Sequence, residues 1–378
     1  MSPLRPWFAL KSVPGVGNLL FRRLLEHFGS PEKVLSANTT ALLSVNGVSA
    51  RLAAAIHKYR EGRGVDRELA AIRKSGCAII TQTDRRYPPL LRQIPDPPPF
   101  LYVRGTLPTG ILSIAIVGSR NATEYGVATT RELSRQLAAQ RVTIVSGLAR
   151  GVDTAAHTGA LAANGTTVAV LGSGLNRIYP QENASLARRI ADSGAVISEF
   201  ALDAGPDAHH FPARNRIISG LCQGTVVVEA TGRSGSLITA RLAAEQNRDV
   251  FAVPGNVHSF KSVGTHTLIK QGAKLVVHAG DVLEEYAHVC GHNHESAAPR
   301  PAQPVSLTDP EAMIIDILEA DPVHIDDLGR RLSMGTGRLA GLLLQLELKG
   351  LVCQSPGKRF SLAPDALSRL DTQSTTLH

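Results

Sequence analysis

Short apolar runs rich in β-branched residues alternate with longer stretches of helical periodicity between residue 112 and about residue 285. The runs are continuously apolar, which is typical of strands buried on both faces of a parallel sheet. Six strands are predicted: Ser113–Val117, Val142–Ser146, Thr167–Leu171, Ala195–Ser198, Thr225–Glu229 and Val250–Val253. Because helical stretches separate them, the pattern predicts a Rossmann-like α/β core with helices on both faces of the sheet.

Residues 1–83 show a different pattern, in which short apolar helices follow glycine turns. The turn Val13–Gly17 precedes the predicted helix Leu19–His27, and Val45–Ser49 precedes Ala50–Tyr59. An apolar–Gly–apolar turn that leads into a helix is typical of a helix-hairpin-helix unit, whose backbone N–H groups can bind DNA phosphates. A small helical bundle with tight glycine turns fits the same pattern, because helix C-caps look similar.

Proline is dense between residues 84 and 110, where the chain enters the predicted core domain of residues 84–286. Pro88, Pro89 and the run Pro97–Pro99 lie in this segment. Since proline lacks a backbone N–H and restricts the residue before it, we expect a semi-rigid connector without a helix.

Composition changes again at residues 287–310, where alanine and proline predict a linker. Four possible metal ligands alternate with other residues near its start: His288, Cys290, His292 and His294. A metal site is the alternative, but local ligands on a flexible segment do not complete a closed site without a second cluster. We therefore predict a solvated linker and no metal site.

The last segment, residues 311–378, predicts a winged-helix domain followed by a tail. Helical periods over Glu311–Glu319, His324–Leu332 and Thr336–Leu348 precede a hairpin that turns at Ser355–Lys358. The third helix of such domains often enters the DNA major groove, but this one carries few side chains that read bases. A protein contact or a weak DNA contact is therefore the expected role.

Composition narrows the functional classes only moderately. The chain has 378 residues, of which 43% are hydrophobic and 19% charged, so two or three folded domains are expected. Lys and Arg outnumber Asp and Glu by 40 to 32, and this excess favours an anionic partner. Four scattered cysteines, and no apolar run near the ~20 residues that span a bilayer, predict a soluble cytoplasmic protein with reduced thiols.

Candidate chemistry lies in the loops after the predicted strands, since open α/β sheets bind ligands at the carboxyl ends of their strands. These loops combine Gly or Ser with Arg, which lets an anion approach backbone amides beside a fixed positive charge. Phe211 adds an aromatic face on which an unpaired base can stack. Four such loops on one rim predict a groove for repeated phosphates. The candidate DNA-binding residues are Gly118, Ser119, Arg120, Ser146, Gly147, Arg150, Gly172, Gly174, Phe211, Arg214, Asn215, Arg216, Arg233, Ser234, Gly235 and Ser236.

Other interpretations of these loops stay open. Phe211 fits a core position equally, with the neighbouring arginines solvating a helix end. Asp153 and His157 lie four residues apart on one helical face and form a candidate acid/base pair, although an Asp at a helix start more often caps the helix. The sequence Gly172-Ser173-Gly174 lacks the third glycine of a dinucleotide fingerprint, and no P-loop sequence occurs in the chain.

Specific motifs recur through residues 85–285 and resemble one known family. They include Gly118-Ser119-Arg120, Phe211-Pro212-x-Arg214-Asn215-Arg216, Ser234-Gly235-Ser236-Leu237 and Val253-Pro254-Gly255. Together they resemble the DNA-processing protein A family (DprA, also called Smf). The helical N-terminal domain and the winged-helix C-terminal domain also fit one common architecture of that family.

The resemblance implies a function. It implies single-stranded DNA binding, loading of the RecA recombinase, a role in natural transformation and recombination, and self-association into homodimers. By motif position, it implies that Arg120 is a principal phosphate contact supported by Arg214 and Arg216. We therefore expect a binding protein that is not an enzyme and that needs no cofactor.

Two other classes compete with this interpretation. A Rossmann-like nucleotide hydrolase, similar to the lysine-decarboxylase-like phosphoribohydrolases, would need a carboxylate such as Glu229 or Asp153 at the glycosidic carbon. The chain lacks the Pro-Gly-Gly-x-Gly-Thr run that is typical of that family. A sequence-specific repressor that acts through the winged helix is the third possibility.

Overall fold

The computed structural model describes residues 3–59, 64–110, 112–287, 307–318, 322–355 and 357–363. The chain divides into two compact units, Met1–His292 and Asn293–His378. Nearly all of the predicted linker lies outside the described residues, and so do His288, Cys290, His292 and His294. Among the helices in the described ranges, none has the length and apolar character needed to cross a membrane.

The first unit begins with a bundle of short helices: α1 (Arg5–Lys11), α2 (Asn18–Phe28), α3 (Pro31–Ser36), α4 (Thr39–Leu43), α5 (Ala50–Lys58) and α6 (Val65–Ser75). The side chains of Ser30, Asn38 and Ser49 cap three of them by accepting a hydrogen bond from the N–H three residues on. Inside the bundle, Trp7 stacks on Phe21 with ring centroids 5.7 Å apart. Helices α2 and α5 follow the two glycine turns, as predicted.

A nine-stranded sheet forms the centre of this unit, in the spatial order β1-β2-β6-β5-β4-β3-β7-β8-β9. Its strands are β1 (Ala78–Thr81), β2 (Phe100–Gly105), β3 (Ser113–Gly118), β4 (Thr143–Ser146), β5 (Thr167–Val170), β6 (Ala195–Ser198), β7 (Gly224–Val228), β8 (Asp249–Ala252) and β9 (Lys274–Leu275). Strand β2 is antiparallel to both of its neighbours, whereas all pairs from β6 to β9 are parallel. The predicted Rossmann-like core is confirmed.

The proline-dense segment differs from the connector that we expected. Pro89 begins helix α7 (Pro89–Gln93), and the segment also contains strand β2. Proline is tolerated at the first helical position because its missing N–H needs no partner there. Strand β1 comes from within residues 1–83 and pairs with β2, so the sheet starts before the expected domain boundary.

The remaining helices of this unit pack around the sheet. They are α8 (Glu124–Ala139), α9 (Val152–Ala162), α10 (Ala184–Ser193), α11 (His210–Gly220), α12 (Gly235–Glu245), α13 (Val263–Lys270) and α14 (Ala279–Leu283), with 3-10 turns at Gln181–Asn183 and Glu284–Tyr286. The chain builds β4 to β6 on one side of β3 and β7 to β9 on the other. The loops after β3 and β7 therefore meet at the topological switch point, where such folds bind ligands.

The helical bundle packs directly on strand β2. The ring of Phe8 stacks on Phe100 with centroids 4.4 Å apart, while Tyr102 donates a hydrogen bond of 2.9 Å to Glu68 of α6. Alternate residues of the strand, such as Leu101, join a separate apolar cluster. Strand β2 thus connects the bundle to the sheet through one of its faces.

The second unit is a winged helix, as predicted. Its helices are α15 (Asp309–Ile317), α16 (Ile325–Leu332) and α17 (Thr336–Leu348), and its strands are β10 (Val323–His324), β11 (Val352–Ser355) and β12 (Arg359–Leu362). The strands form a three-stranded sheet in the order β10-β12-β11. Helix α15 starts with a capping box, in which Thr308 and Glu311 satisfy each other's backbone N–H groups.

Candidate nucleic-acid interface

A cavity of about 500 Å³ opens at the switch point of the sheet. Its walls come from the loop after β3 and from the first residues of α11 and α12. Nine candidate residues line this switch-point cavity: Gly118, Ser119, Arg120, Phe211, Arg214, Asn215, Ser234, Gly235 and Ser236. Loops that are far apart in the sequence therefore meet in one site, as expected for the carboxyl edge of a parallel sheet.

Arg120 and Phe211 form a cation–aromatic pair in this cavity. The exposed guanidinium of Arg120 lies over the half-buried Phe211 ring, 5.3 Å from its centroid. A Cβ on Gly172 would lie 2.8 Å from that ring, so the glycine makes room for it. The exposed Tyr179 tilts against the same ring, with centroids 5.7 Å apart. A cation beside aromatic faces suits a phosphate next to an unpaired base.

Helix α12 brings the positive end of its dipole to the cavity. The hydroxyls of Ser234 and Ser236 lie 2.8 Å apart at its start, and the amide of Asn215 lies 3.5 Å from the Gly235 carbonyl oxygen. Small residues here leave the first turn of an 11-residue helix open to a ligand. Backbone N–H groups at such a helix start attract anions.

Arg214 lines the cavity from a buried position. Its guanidinium donates a hydrogen bond to the Val170 carbonyl oxygen. Burial lowers the pKa of Arg214 to about 10, while the nearby charge of Asp153 opposes that shift. Burial likewise raises the pKa of Asp153, and the charge of Arg214 opposes it. Arg214 is therefore an internal positive charge rather than an extended surface arm.

Arg216 corrects the sequence-based expectation. Its side chain is only 10% exposed and forms ion pairs with Glu199 and with Asp96, at 3.0 Å to the latter. It lies outside the lining of the switch-point cavity. An arginine committed to two carboxylates is not free to bind a phosphate, so its role is structural.

Three further candidates are packing positions. Buried Ser146 donates its hydroxyl hydrogen bond to a β3 carbonyl at 2.7 Å. A Cβ on Gly147 would lie 2.2 Å from the Arg214 guanidinium, and one on Gly174 would lie 2.1 Å from a backbone carbonyl oxygen. We expected these three residues to lie on an accessible rim. They are instead packing positions, where the chain approaches closely beneath the site.

Two predicted arginines are exposed but lie outside the cavity lining. Arg150 forms an ion pair of 2.8 Å with Glu182, and both side chains are more than half exposed. Arg233 lies instead in a neighbouring groove between α12 and α13. The predicted rim is thus distributed over more than one surface.

The two carboxylates that a hydrolase would need accept hydrogen bonds from neighbouring loops. Glu229 accepts a hydrogen bond of 2.9 Å from the Thr123 N–H and another from the Thr123 hydroxyl. Asp153 accepts hydrogen bonds from the N–H groups of Gly147 and Ala149, at 3.1 and 3.2 Å. These contacts tie the β7 loop to the start of α8 and shape the loop after β4.

His157 is a core residue and does not pair with Asp153. Its Nδ1 lies 2.7 Å from the Thr167 hydroxyl, which itself donates to a backbone carbonyl. Burial, reinforced by the charge of Arg214, lowers the pKa of His157 to about 3. The imidazole therefore stays neutral in the folded chain.

This burial predicts acid sensitivity. The unfolded chain protonates His157 near pH 6.5 while the folded chain does not, so stability is lost as the pH falls through this range. We expect the unfolding free energy to fall by about 1.4 kcal/mol per pH unit below pH 6. Urea unfolding at several pH values measures this slope, and a His157→Asn variant should show a shallower one. Parallel profiles for the two proteins would contradict the assignment.

One cluster in the described part of the chain has ligands that suit a metal. Ligand atoms of Asp207, His209 and His210 lie within 4.8 Å of one another at the start of α11. The His210 ring stacks on Phe200 at 3.8 Å. The positive dipole end of α11 disfavours a cation here, so the cluster does not support a metal-dependent function.

Sequence reasoning missed several residues of the site. Lys261, from the loop after β8, lies outside the cavity lining but donates a hydrogen bond to the carbonyl oxygen of Asn121, which lines it, and so adds a positive charge beside the β3 loop. Thr231 and Thr239 also line the cavity. Asn121 follows Arg120 directly, so its place in the site could have been predicted from the sequence. The sequence around Lys261 does not predict a position near this site.

Comparison with known proteins connects this site to a family. A family model described as DNA recombination-mediator protein A matches residues 78–287, more than half of the chain. The chain belongs to the DprA/Smf family. Two further models match the DprA/Smf chain on either side of the core: a SAM-like helix-hairpin-helix tandem at residues 9–59 and a DprA winged helix domain at residues 298–358. The resemblance inferred from the motifs is confirmed.

Individual relatives agree with this assignment. Protein Smf of Synechocystis sp. is 35% identical over 94% of this chain and 97% of its own length. The X-ray structure of DNA processing protein A from Streptococcus pneumoniae is 34% identical, with a TM-score of 0.66, over 75% of this chain and 99% of that chain. A Helicobacter pylori structure, described by its single-stranded DNA binding mode, is 30% identical with a TM-score of 0.51 over 56% and 96%.

Proposed function

We propose that this DprA/Smf protein binds single-stranded DNA in the switch-point cavity. The observation that carries the proposal is the exposed Arg120 guanidinium over the Phe211 ring, at a cavity that Arg214 also lines. The ligand named for the Helicobacter pylori relative supports the same class of partner. Arginine contacts to phosphate require no particular base, so we expect weak sequence preference.

A single strand fits this arrangement better than a duplex. The half-buried Phe211 ring can stack only on a base that is free to leave its neighbours, and bases in a duplex are already paired and stacked. Arg120 is exposed, and its long side chain can reach the phosphate of that same nucleotide. Anisotropy titrations with matched single-stranded and double-stranded oligonucleotides test this preference.

Replacing Arg120 with alanine should weaken single-stranded DNA binding and flatten its salt dependence. Loss of one phosphate contact lowers the slope of log affinity against log salt by about 0.7. Anisotropy titrations over a salt series measure this slope. Arg189→Ala, an exposed arginine on α10 outside the cavity lining, is the matched control and should behave as the unaltered protein. Equal slopes for all three proteins would reject the contact.

We also propose that the chain is a binding protein without catalytic activity. The support is the engagement of Asp153 and Glu229 with loop N–H groups, which leaves neither carboxylate positioned as a general acid or base. A nucleotide hydrolase is the alternative. Release of free base from nucleoside monophosphates, followed by chromatography, would favour that alternative.

Family membership supports a wider role for this binding. We propose that the chain loads the RecA recombinase onto single strands during natural transformation and recombination, acts in the cytoplasm, and works as a homodimer. Light scattering of the purified chain tests the dimer. Assembly of RecA filaments on strands already covered by single-strand-binding protein, with and without this chain, tests the loading activity.

A further inference from the structure

The helical bundle contains one structural unit twice, with an offset of 32 residues. In each unit a short helix leads through a glycine turn into a longer helix: the turn Val13–Gly17 joins α1 to α2, and the turn Val45–Ser49 joins α4 to α5. Gly15 and Gly47 both have a φ of 95°, a left-handed conformation that favours glycine. In both turns the N–H of the fourth residue donates to the carbonyl oxygen of the first at 3.0 Å. We refer to this pair as the tandem turns.

The tandem turns lie side by side because each packs on the helix that follows the other. A Cβ on Gly15 would lie 3.2 Å from the Leu52 side chain of α5, and a Cβ on Gly47 would lie 3.7 Å from the Leu20 side chain of α2. Leu20 and Leu52 are themselves 32 residues apart. These reciprocal contacts relate the two units by an approximate two-fold axis, so the turns present equivalent backbone groups on either side of that axis.

The backbone of both turns is open to solvent. The valines of each turn are buried and hold it on the bundle, whereas the residues between and after them are exposed: Pro14, Gly15, Gly17, Asn46, Gly47 and Ser49. Gly17 supplies no side-chain cap to α2, and the first N–H groups of a helix have no partner within the helix. A phosphate oxygen can therefore reach backbone N–H groups here, in a contact that requires no particular base.

Positive charge is concentrated in this part of the chain. Residues 1–59 contain seven lysines and arginines and two glutamates, an excess of five where the whole chain has an excess of eight. Two of these arginines flank the tandem turns. Arg51 is exposed in the first turn of α5, and Arg23 of α2 donates a hydrogen bond of 3.4 Å to the Asn46 carbonyl oxygen. A polyanion is therefore the expected partner.

The symmetry of the tandem turns favours duplex DNA over a single strand. The two strands of a duplex run in opposite directions and are related by two-fold axes, as the two turns are, whereas a single strand has one direction. The rings of Trp7 and Phe21 are buried in the bundle and offer no face to an unpaired base. We propose that the tandem turns bind double-stranded DNA, with the phosphates of one strand at each turn. This site is separate from the switch-point cavity, and the inference does not rest on the proposed function.

The test measures the affinity of the full chain for a short blunt-ended duplex by fluorescence anisotropy. The double variant Pro14→Glu/Asn46→Glu places a carboxylate at the equivalent exposed position of each turn, and repulsion of the phosphates should weaken duplex binding about 10-fold. The double variant Arg23→Gln/Arg51→Gln should lower the slope of log affinity against log salt by about 1.8, which corresponds to two phosphate contacts on a duplex. Thermal unfolding of each variant separates a lost contact from a lost fold.

A matched control distinguishes the tandem turns from net charge. The double variant Arg67→Gln/Arg73→Gln removes the same charge from two exposed positions of α6, outside the turns, and should keep the duplex affinity and its salt slope. Arg120→Ala, at the switch-point cavity, should also keep the duplex affinity. A short oligothymidylate should bind both turn variants as it binds the unaltered chain.

Duplex affinity that survives in both turn variants would overturn the inference and place the duplex on another part of the chain. Equal losses in the turn variants and the α6 control would reduce the effect to net charge. Equal losses for the duplex and the oligothymidylate would assign the turns to a single strand, and either result contradicts a duplex site. An unaltered chain that binds no duplex would also reject it. Failure of the proposed function looks different, because the unaltered chain then binds the duplex but not the oligothymidylate.

Discussion

Replacing Glu199 with glutamine is expected to lower the unfolding free energy by about 3 kcal/mol, because it removes the charge that compensates a buried arginine. Glu199 is 9% exposed at its side chain and forms an ion pair with Arg216, which is 10% exposed. The same carboxylate accepts a hydrogen bond of 3.1 Å from Asn18 of the helical bundle. Asp96 remains as a second partner of Arg216 but is 42% exposed, and solvent weakens its compensation.

The measurement is urea unfolding followed by the fluorescence of Trp7, the single tryptophan of the chain. Trp7 lies in the bundle that Asn18 connects to Glu199, so its signal reports on that part of the fold. Glu182→Gln is the matched control: its partner Arg150 is exposed, so the change should leave the unfolding free energy nearly unaltered. Equal effects of the two substitutions would show that the Glu199 pair is not effectively buried.

Replacing Phe211 with alanine is expected to weaken single-stranded DNA binding by about 1–3 kcal/mol, or roughly 5-fold to 150-fold, if one base stacks on its ring. The ring is half-buried against Gly172, with the guanidinium of Arg120 over it and Tyr179 beside it. Alanine removes the stacking face and the surface over which Arg120 lies, so both parts of the contact are lost.

Two further substitutions separate stacking from packing. Phe211→Tyr keeps an aromatic face and should keep the affinity, whereas Phe211→Leu keeps apolar volume beside Gly172 but should lose affinity as alanine does. Anisotropy titrations and thermal unfolding are measured on all three variants. A loss of stability with unchanged affinity would identify Phe211 as a core residue, the alternative that the sequence left open.

Much of the core could be predicted from local pattern. Strands buried on both faces must be continuously apolar, so the runs at Ser113–Val117 and Ala195–Ser198 correspond closely to β3 and β6. Strand β2 was missed because it follows a proline-dense run, and the two-residue strand β9 is too short for a periodic signal. Strands with such weak local patterns depend on the neighbours that pair with them.

The site was predictable where a loop contributes its own chemistry. Gly118–Arg120 and Ser234–Ser236 directly follow strands or begin helices, and the carboxyl edge of the sheet brings them together. The aromatic contact between Phe211 and Arg120 was not predictable, because it depends on Gly172 making room for the ring from a third loop.

The sequence by itself determined a parallel α/β core, its flanking helical domains and a set of Gly-, Ser- and Arg-containing loops, since these features depend on local composition and periodicity. Only the tertiary structure decided which arginines face a ligand. Arg120 stays exposed, while Arg216 is neutralised by Glu199 and Asp96, which lie 17 and 120 residues away in the chain. A charge is buried only where the fold brings an opposite charge to it, and that proximity is not encoded in the spacing of residues along the chain.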